Sequence, residues 1–389
     1  MNKTNSISVI IPAFNYKDSL ISAIDAINNQ IVVPNQIVIV DSSNNNDIER
    51  MIDEYSGKVK IVYKKVSQAF PGEARNLGAE IASGKWLAFL DSKTIPNKSW
   101  LMDSFNEVSL NGVGVVFGLT RYIAKTNTQF IVKAAVYGDL GVETTPGTLI
   151  SKENFIKIGG FTEKVRTADD LEWRNRVKKS NLTFKIPKKS NLKYSEISDS
   201  LYANIKRFFV YQLFSAKINV QTKVKGLYLS LFLLFSASIV PNWNSMVGWE
   251  GSIFYIPNIT KVYLFLLAFM LFALVFFTEK ARQTLIMPSR VAVIVIVTLV
   301  VINWNGVFAG WEEDGLLYMP HITKFYILFL SLLSVLYRGI YFPLTHGIEK
   351  SYLFPLRWLY IGFFGLLLDI VKTPGYIIGA FVYLFRSKY

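Results

Sequence analysis

The chain has 389 residues, which predicts two or more domains, and it contains no cysteine, which excludes disulfide bonds, thiolate metal sites and a thiol nucleophile. Hydrophobic residues make up 51% of it, more than an ordinary soluble protein requires, and long apolar runs dominate from residue 226 onward. The formal charge of +14 suits a nucleic acid or an anionic membrane surface; because the bases cluster beside the apolar runs, we expect membrane lipids and no nucleic acid as partners.

The N-terminal part alternates between short apolar runs and segments with helical spacing. We predict strands over residues 7–12, 36–41, 59–64 and 85–91, and helices over 19–29, 47–55 and 72–83. This alternation is typical of an α/β domain whose mainly parallel sheet carries helices on both faces. Ligands of such sheets bind beyond the carboxyl ends of the strands, where Asp41 and Asp91 lie.

A basic amphipathic segment over residues 200–225 follows this domain. It predicts a helix lying in the membrane interface, with an ordinary surface helix as the alternative. Apolar segments near residues 226–241, 262–277, 291–302 and 325–337 are interpreted as membrane spans. A further stretch over 356–385 is interrupted by Asp369, Lys372 and Pro374, and it predicts either a fifth span or an interfacial hairpin.

The apolar region contains an internal repeat. Asn242-Trp-Asn244 recurs as Asn303-Trp-Asn305, which predicts two hairpins of like orientation over about 226–277 and 291–337. Their tryptophans indicate an interface belt or, alternatively, a site for a lipid carrier. The connectors on the side of the N-terminal domain are the basic ones and no cleavable leader is evident, so we expect that domain in the cytoplasm. The predicted domains are residues 1–199, an interfacial helix over 200–225 and an all-α transmembrane domain over 226–389.

Four sequence blocks in the first domain carry a family resemblance. They are Ile7-Ser-Val-Ile-Ile-Pro-Ala-Phe-Asn15, Ile37-Val-Ile-Val-Asp-Ser-Ser43, Ala74-Arg-Asn-Leu-Gly78 and Ala88-Phe-Leu-Asp-Ser92. In order and spacing they resemble glycosyltransferase family 2 over residues 5–200. The resemblance implies a GT-A fold that binds a nucleotide sugar, and inverting transfer of the sugar.

The resemblance also implies which residues lie near the nucleotide-sugar donor. In the first three blocks they are Pro12, Ala13, Phe14, Asp41, Arg75 and Asn76. Pro12 and the two residues after it would form a loop over the nucleotide, and Asp41 would accept hydrogen bonds from the base, with a helix cap as the alternative. Arg75 suits phosphate recognition, with a surface ion pair as the alternative.

The fourth block departs from the family at one position. Asp91 matches the first acid of the family's Asp-x-Asp motif, but Ser92 is followed by Lys93, where the family usually has an acid that binds a divalent cation. A protonated lysine cannot ligate a cation. Two alternatives follow: Lys93 itself neutralises the leaving diphosphate, or Lys93 points away and Asp91 helps to hold Mg²⁺ or Mn²⁺ with other ligands.

An acidic motif lies at the expected distance after these blocks. Asp169, Asp170 and Glu172 resemble the family's Glu-Asp motif, with Asp169 in place of the glutamate. The resemblance implies that Asp170 is the general base that removes the acceptor proton. The alternative is a solvated acidic helix start, favoured by the helix dipole.

These observations predict an enzyme that transfers one sugar to a lipid-linked or membrane-presented acceptor in glycolipid, polysaccharide or cell-envelope glycan synthesis. Single transfer is expected because the Gln-x-x-Arg-Trp motif of processive relatives is not found after residue 173. Two alternatives are a non-catalytic membrane protein with a degenerate sugar-nucleotide domain, and a transporter-like module with an accessory domain. The sugar, the nucleotide base, the acceptor and the oligomeric state do not follow from the sequence.

Overall fold

The computed structural model describes residues 6–218, 220 and 332–385. Met1–Gln221 and Val335–Tyr389 form one unit, and Thr222–Ser334 form a second. Residues 335–389 therefore group with residues 1–221, and the predicted domain over 226–389 stays a prediction. The repeat and the predicted hairpins lie outside the described residues, apart from 332–337.

Four parallel strands form the first half of the sheet, in the order β3-β2-β1-β4. The elements in chain order are β1 (Ile7–Ala13), α1 (Lys17–Asn28), β2 (Gln36–Asp41), α2 (Asp47–Glu54), β3 (Lys60–Lys65), α3 (Pro71–Ile81) and β4 (Trp86–Phe89). All seven were predicted from the sequence, with ends that differ by one or two residues.

The first two strands are buried on both faces, which explains their continuous apolar sequence. Because side chains alternate along a strand, Val9 and Ile39 pack into one core with helices α1 and α2, while Ile10 and Val38 pack into a second core with helix α3. The two cores hold the carboxyl ends of β1, β2 and β4 at one edge of the sheet.

The second half of the sheet is mixed, because β7 runs antiparallel to both β4 and β6. Its elements are β5 (Thr94–Pro96), α4 (Trp100–Leu110), β6 (Val115–Tyr122), α5 (Asn127–Val136), β7 (Val142–Ser151), α6 (Lys152–Ile158), α7 (Asp169–Lys179), β8 (Phe184–Lys185) and β9 (Leu192–Tyr194). The order continues as β7-β6-β9-β5, with β8 beside β6. Since β6 and β9 run in the same direction as β4, their carboxyl ends lie at the same edge as those of the first half.

A third core lies within the first unit and joins helices that come before and after residues 222–334 in the sequence. Helix α8 (Leu201–Lys217) confirms a helix in the predicted 200–225 segment, and it packs against the long helix α11 (Arg357–Phe385). Val132, Phe208 and Phe364 belong to this core. A Cβ atom at Gly379 would lie 2.3 Å from the carbonyl oxygen of Leu213, so the glycine allows the two helices to approach closely. Between them in the chain come a π-helical turn (Tyr337–Tyr341), α9 (Phe342–Thr345) and α10 (Lys350–Leu353).

The predicted fifth span or hairpin over 356–385 is a single helix, so the hairpin alternative is wrong. Asp369, near the middle of this helix, accepts hydrogen bonds from the guanidinium of Arg338 at 2.7 and 3.0 Å. Within residues 6–218, 220 and 332–385, no helix combines the length and the apolar character needed to cross a membrane.

Candidate active site

Asp41 is a fully buried carboxylate at the carboxyl end of β2. It accepts hydrogen bonds from the backbone N–H of Ser43 at 2.8 Å, the Tyr63 hydroxyl at 2.9 Å and the Lys65 ammonium at 2.9 Å. Burial raises the pKa of Asp41, but these hydrogen bonds outweigh burial and hold the pKa below its ordinary value. Asn46, not Asp41, is the residue that precedes helix α2, so the helix-cap alternative is wrong.

Arg75 joins two acids that are far apart in the sequence. From the buried face of α3, one guanidinium nitrogen donates to Asp91 Oδ1 and the other donates to Asp169 Oδ2, both at 2.7 Å. The arginine side chain is 5% exposed and its guanidinium carbon lies 5.3 Å from the ring centroid of Phe161. Burial lowers the pKa of Arg75, but the nearby carboxylates outweigh it and raise the pKa, so the guanidinium stays charged. The surface ion pair proposed as the alternative for Arg75 is therefore wrong.

The two neighbouring acids of α7 have different surroundings. The side chain of Asp169 is 4% exposed and paired with Arg75, whereas that of Asp170 is 34% exposed, with the nearest Arg174 nitrogen at 3.9 Å. Burial raises the pKa of Asp169, as do the charges of Asp170 and Asp91, while Arg75 opposes them. Asp170 is thus the more accessible acid of the pair.

The backbone before α7 is strained in a way that sets this arrangement. Ala168 adopts the left-handed conformation at φ 73°, which is uncommon for a residue with a Cβ atom. Directly after it, Asp169 begins α7 against the start of α3, where a Cβ atom at Gly72 would lie 3.1 Å from Asp169 Oδ2. The sharp turn and the close contact bring the acids to Arg75.

The loop after β1 approaches the same edge of the sheet. Ala13 pairs in register with Asp41, and the backbone N–H of Asn15 donates to Ser43 Oγ at 2.7 Å. Pro12 lies within β1, Phe14 is exposed, and Ser92 is buried just beyond β4. Strand β1 lies between β2 and β4. Asp41 at the end of β2 and Asp91 just after β4 therefore lie at the ends of strands that are two strand spacings, or about 10 Å, apart.

Lys93 turns toward this loop. Its ammonium nitrogen lies 3.2 Å from the ring centroid of Tyr16, a half-exposed residue just after β1. A cation over an aromatic face is attracted by the ring quadrupole, so this contact holds the Lys93 ammonium beside Tyr16.

Two of the predicted site residues hold a loop instead. Asn76 accepts from the backbone N–H of Phe161 at 2.8 Å and donates to the carbonyl of the same residue at 2.9 Å. Glu172 accepts from Arg176 at 2.7 and 2.8 Å and from the Thr162 hydroxyl at 2.8 Å. These contacts fix residues 158–163 beside Arg75, and the donor-binding role of Asn76 stays a prediction.

The side chains near Asp91 are a poor donor set for a divalent cation. Asp91 and Asp169 both accept from Arg75, and position 93 is a lysine. In the part of the chain that the structure describes, no three His, Asp or Glu side chains group closely enough to hold a metal ion. No chemical step is therefore assigned to Mg²⁺ or Mn²⁺, and the need for either ion stays a prediction.

Sequence reasoning missed three residues of this site, which are Tyr16, Tyr63 and Lys65. The last residue of β3, Lys65, lies in register with Asp41 on β2. A basic residue at the end of the strand next to a buried acid was a usable signal. Tyr16 had no signal, because its contact with Lys93 depends on where the loop folds.

The segment that forms this site matches a known family. Residues 8–164 match the family model described as Glycosyl transferase family 2. Residues 8–164 are thus similar to that family, which confirms the resemblance over this segment. The match ends before Asp169 and Asp170, so the roles of those two acids stay predictions.

Curated relatives and solved structures are similar to parts of the chain. An uncharacterized glycosyltransferase of Haemophilus influenzae is 25% identical over 43% of this chain and 60% of its own length. Glycosyltransferase AglE of Haloferax volcanii is 25% identical over 44% of this chain and 60% of its own length. The chain thus spans less than two thirds of either relative. The crystal structure of S. aureus TarS 1-349 in complex with UDP-GlcNAc has a TM-score of 0.40 and 13% identity, and it covers 89% of this chain and 91% of that one.

Proposed function

We propose that the chain is an inverting glycosyltransferase that moves one sugar from a nucleotide-sugar donor to an acceptor. The observation that carries the proposal is the Arg75 guanidinium, which ties Asp91 and Asp169 together and leaves Asp170 exposed beside them. An inverting transfer needs such a grouping, with fixed charge around the diphosphate and one accessible carboxylate for the acceptor.

In the proposed reaction, Asp170 removes the proton of the acceptor hydroxyl as its oxygen attacks the anomeric carbon. The bond between that carbon and the diphosphate oxygen breaks, and the nucleoside diphosphate leaves with the electron pair. In this proposal Lys93 balances the negative charge that develops on the leaving group, which position 93, directly after the Asp91-Ser92 pair, supports. Asp41 would accept hydrogen bonds from the base or remain a support of the loop after β2.

The proposed acceptor is lipid-linked or presented at a membrane, with the N-terminal domain at the cytoplasmic face and the chain in the membrane. One described feature supports membrane contact: α11 exposes apolar residues at spacings of three and four. They are Tyr360, Phe363, Leu367 and Ile370; Ile378 and Val382 follow further along the helix, and Leu356 lies directly before it. A stripe of this kind suits the apolar layer of a bilayer surface. The product would enter a glycolipid, polysaccharide or cell-envelope glycan.

The test is a transfer assay with the full-length chain, a panel of nucleotide sugars and a membrane lipid extract. We expect Asp170→Asn to reduce transfer by about 10²- to 10⁴-fold, because it removes the general base. Binding of the nucleoside diphosphate should persist. Asp103→Asn is the matched control, since Asp103 is an exposed acid in the first turn of α4.

Transfer that survives in Asp170→Asn would remove the base assignment. A wild-type chain that neither transfers nor hydrolyses any nucleotide sugar, yet binds one, would favour the non-catalytic alternative.

A further inference from the structure

A second polar cluster lies outside the residues discussed so far. We call it the Arg207 cluster; it consists of Arg207 and the tyrosines Tyr122, Tyr137, Tyr194 and Tyr211. The Nε atom of Arg207 donates to the Tyr211 hydroxyl at 2.6 Å, and the guanidinium carbon lies 5.1 Å from the ring centroid of Tyr211 and 5.8 Å from that of Tyr194. The rings of Tyr122 and Tyr137 stack at 3.7 Å.

Arg207 is a partly buried cation without an acidic partner. Among the described residues, no Asp or Glu forms an ion pair with it, whereas Arg75, Arg121, Arg174 and Arg176 each pair with a carboxylate. Burial raises the pKa of Tyr137, so that its hydroxyl is neutral and supplies no negative charge. Aromatic faces offset the cost of burying a cation only in part. The cluster is therefore rich in hydrogen-bond donors and positive charge.

The strand directions place this cluster at the edge of the sheet that carries the active site. Tyr122 ends β6 and Tyr194 ends β9, two strands that run parallel to β4. Tyr194 also lies in register with Thr94, whose backbone N–H donates to the carbonyl of Asp91 at 3.0 Å.

The short segment between β4 and β5 brings Asp91 and the Arg207 cluster close together. β5 is four places from β4 in the strand order, about 19 Å in a flat sheet. Thr94 is five residues after Phe89, a stretch that spans at most about 18 Å when fully extended, and the turn at Asp91 shortens it. The sheet must therefore curl and carry Tyr194 back toward Asp91. Consistent with this, the charge of Asp91 contributes to raising the pKa of Tyr194, behind the larger effect of burial.

We propose that the Arg207 cluster binds a phosphate group carried by the acceptor, on the side of Asp91 away from the donor. That the phosphate belongs to an acceptor rests on the proposed function. That the cluster binds a phosphate rests on the cluster alone. A guanidinium offers a planar fork of donors that matches a phosphate, and hydroxyls from several tyrosines can donate to its remaining oxygens. Binding would pair the uncompensated cation and hold the acceptor hydroxyl near Asp170.

The test measures binding without any donor or turnover. Glycerol 3-phosphate is titrated into the full-length chain by calorimetry, with glycerol as the neutral control ligand. We expect Arg207→Gln to weaken binding of glycerol 3-phosphate by about 10- to 100-fold, since a hydrogen-bonded charge is lost. The matched control is Lys206→Gln, which removes one charge from the exposed neighbour on α8 and should bind the probe as the wild type does.

A second arm separates the two sources of a phosphate. Vesicles of phosphatidylcholine with phosphatidylglycerol are compared with vesicles of phosphatidylcholine alone, using the same variants. Dependence on Arg207 only in the vesicle arm would assign the phosphate to a lipid headgroup, and dependence with glycerol 3-phosphate would assign it to a soluble or polymeric acceptor. Either result supports the proposal.

Equal binding by wild type and Arg207→Gln in both arms would overturn the proposal. If Arg207→Gln does not fold, Tyr194→Phe takes its place, with a smaller loss expected because only one hydroxyl is removed. Because neither arm involves a nucleotide sugar, a failure of the proposed transferase activity would leave these results readable on their own.

Discussion

The edge of the sheet that carries the candidate site has two parts, and they differ in how their buried charges are neutralised. At the ends of β2 and β4, every buried charge has a partner of opposite sign: Asp41 has Lys65, and Arg75 has Asp91 and Asp169. At the ends of β6 and β9, Arg207 has tyrosines and no described carboxylate. The first part is neutralised by the protein itself, whereas the second leaves positive charge for a ligand to neutralise.

This difference shows which groups are fixed and which are free to act. The Asp41 carboxylate accepts several hydrogen bonds, and the Asp169 carboxylate forms an ion pair with Arg75, so these side chains are held in fixed positions. We call Asp41, Arg75 and Asp169 the frame. The nearest Arg174 nitrogen lies 3.9 Å from Asp170, and the Lys93 ammonium lies over the ring of Tyr16, so among the described residues neither forms a short ion pair. We therefore expect loss of a frame residue to act on stability, and loss of a free group to act on transfer.

The largest effect is expected from removing the cation of the frame. Arg75→Met leaves Asp91 and the buried Asp169 without their partner, and breaking one side of a buried ion pair costs about 3–5 kcal/mol. Thermal unfolding of the full-length chain measures the loss. Arg50→Met is the control, since Arg50 is exposed on α2.

A double variant sharpens this first prediction. Asp169→Asn removes the acid that Arg75→Met leaves unpaired, so the double variant should lose less stability than the sum of the two single losses. Additive losses would show that the ion pair does not hold α3 and α7 together.

The next effect concerns the free cation. Lys93→Met should reduce transfer by about 10²-fold with little change in thermal stability, because a donor aimed at developing charge is lost. Lys98→Met, at an exposed lysine five residues on, should transfer as the wild type does. A drop in stability instead of transfer would make Lys93 a part of the frame.

Chelation separates the two alternatives for position 93. The wild type should keep its transfer activity in excess EDTA, while Lys93→Asp, which restores the acid usual in the family, should become dependent on Mn²⁺. Complete loss of wild-type transfer in EDTA, with recovery on addition of Mn²⁺, would show that Lys93 does not replace the metal ion.

A smaller effect, on the pH dependence of stability, is expected at Asp41. The pKa of Asp41 is lowered in the folded state. Its contribution to the free energy of unfolding is therefore complete above the unfolded pKa of about 3.9, and it is lost as the pH falls from that value through the lower folded pKa. Asp41→Asn should cost about 2 kcal/mol near pH 7, and it should flatten the loss of stability below about pH 4. Asp18→Asn, at an exposed acid, should leave the acid limb unchanged; a wild-type profile in Asp41→Asn would contradict the assignment.

The first half of the fold was predictable because its signals are local. Continuous apolar runs predicted the positions of β1 and β2, and the acids at the ends of β2 and β4, Asp41 and Asp91, pointed to the edge of the sheet that carries the candidate site. The antiparallel pairing of β7 was not predictable, since nothing in a strand's own sequence states the direction of its neighbour.

The sequence also could not show which side chains contact one another in the fold. Arg75 and Asn76 are adjacent in the chain, but successive helical residues point about 100° apart, so only one of them could face Asp91. Which one does so depends on the packing of α3 against residues 158–163. Arg207 lies in the basic segment predicted over residues 200–225, and its tyrosine neighbours lie on β6, β9 and α8 and directly after α5.

The smallest expected effect is at the strained residue before the acids. Ala168 at φ 73° pays about 1–2 kcal/mol for the left-handed conformation, which Ala168→Gly would relieve. The added freedom of the unfolded chain costs about 0.4–1 kcal/mol, so the net change should lie between about zero and about 1.6 kcal/mol of stabilisation. Ala79→Gly is the matched control because Ala79 is equally buried, at 4%, but lies in helix α3, where glycine is destabilising by about 1 kcal/mol. Thermal unfolding should therefore separate the two variants; an equal loss in both would mean that the turn before Asp169 stores no strain, and that the contact with Gly72 alone sets the position of the acidic pair.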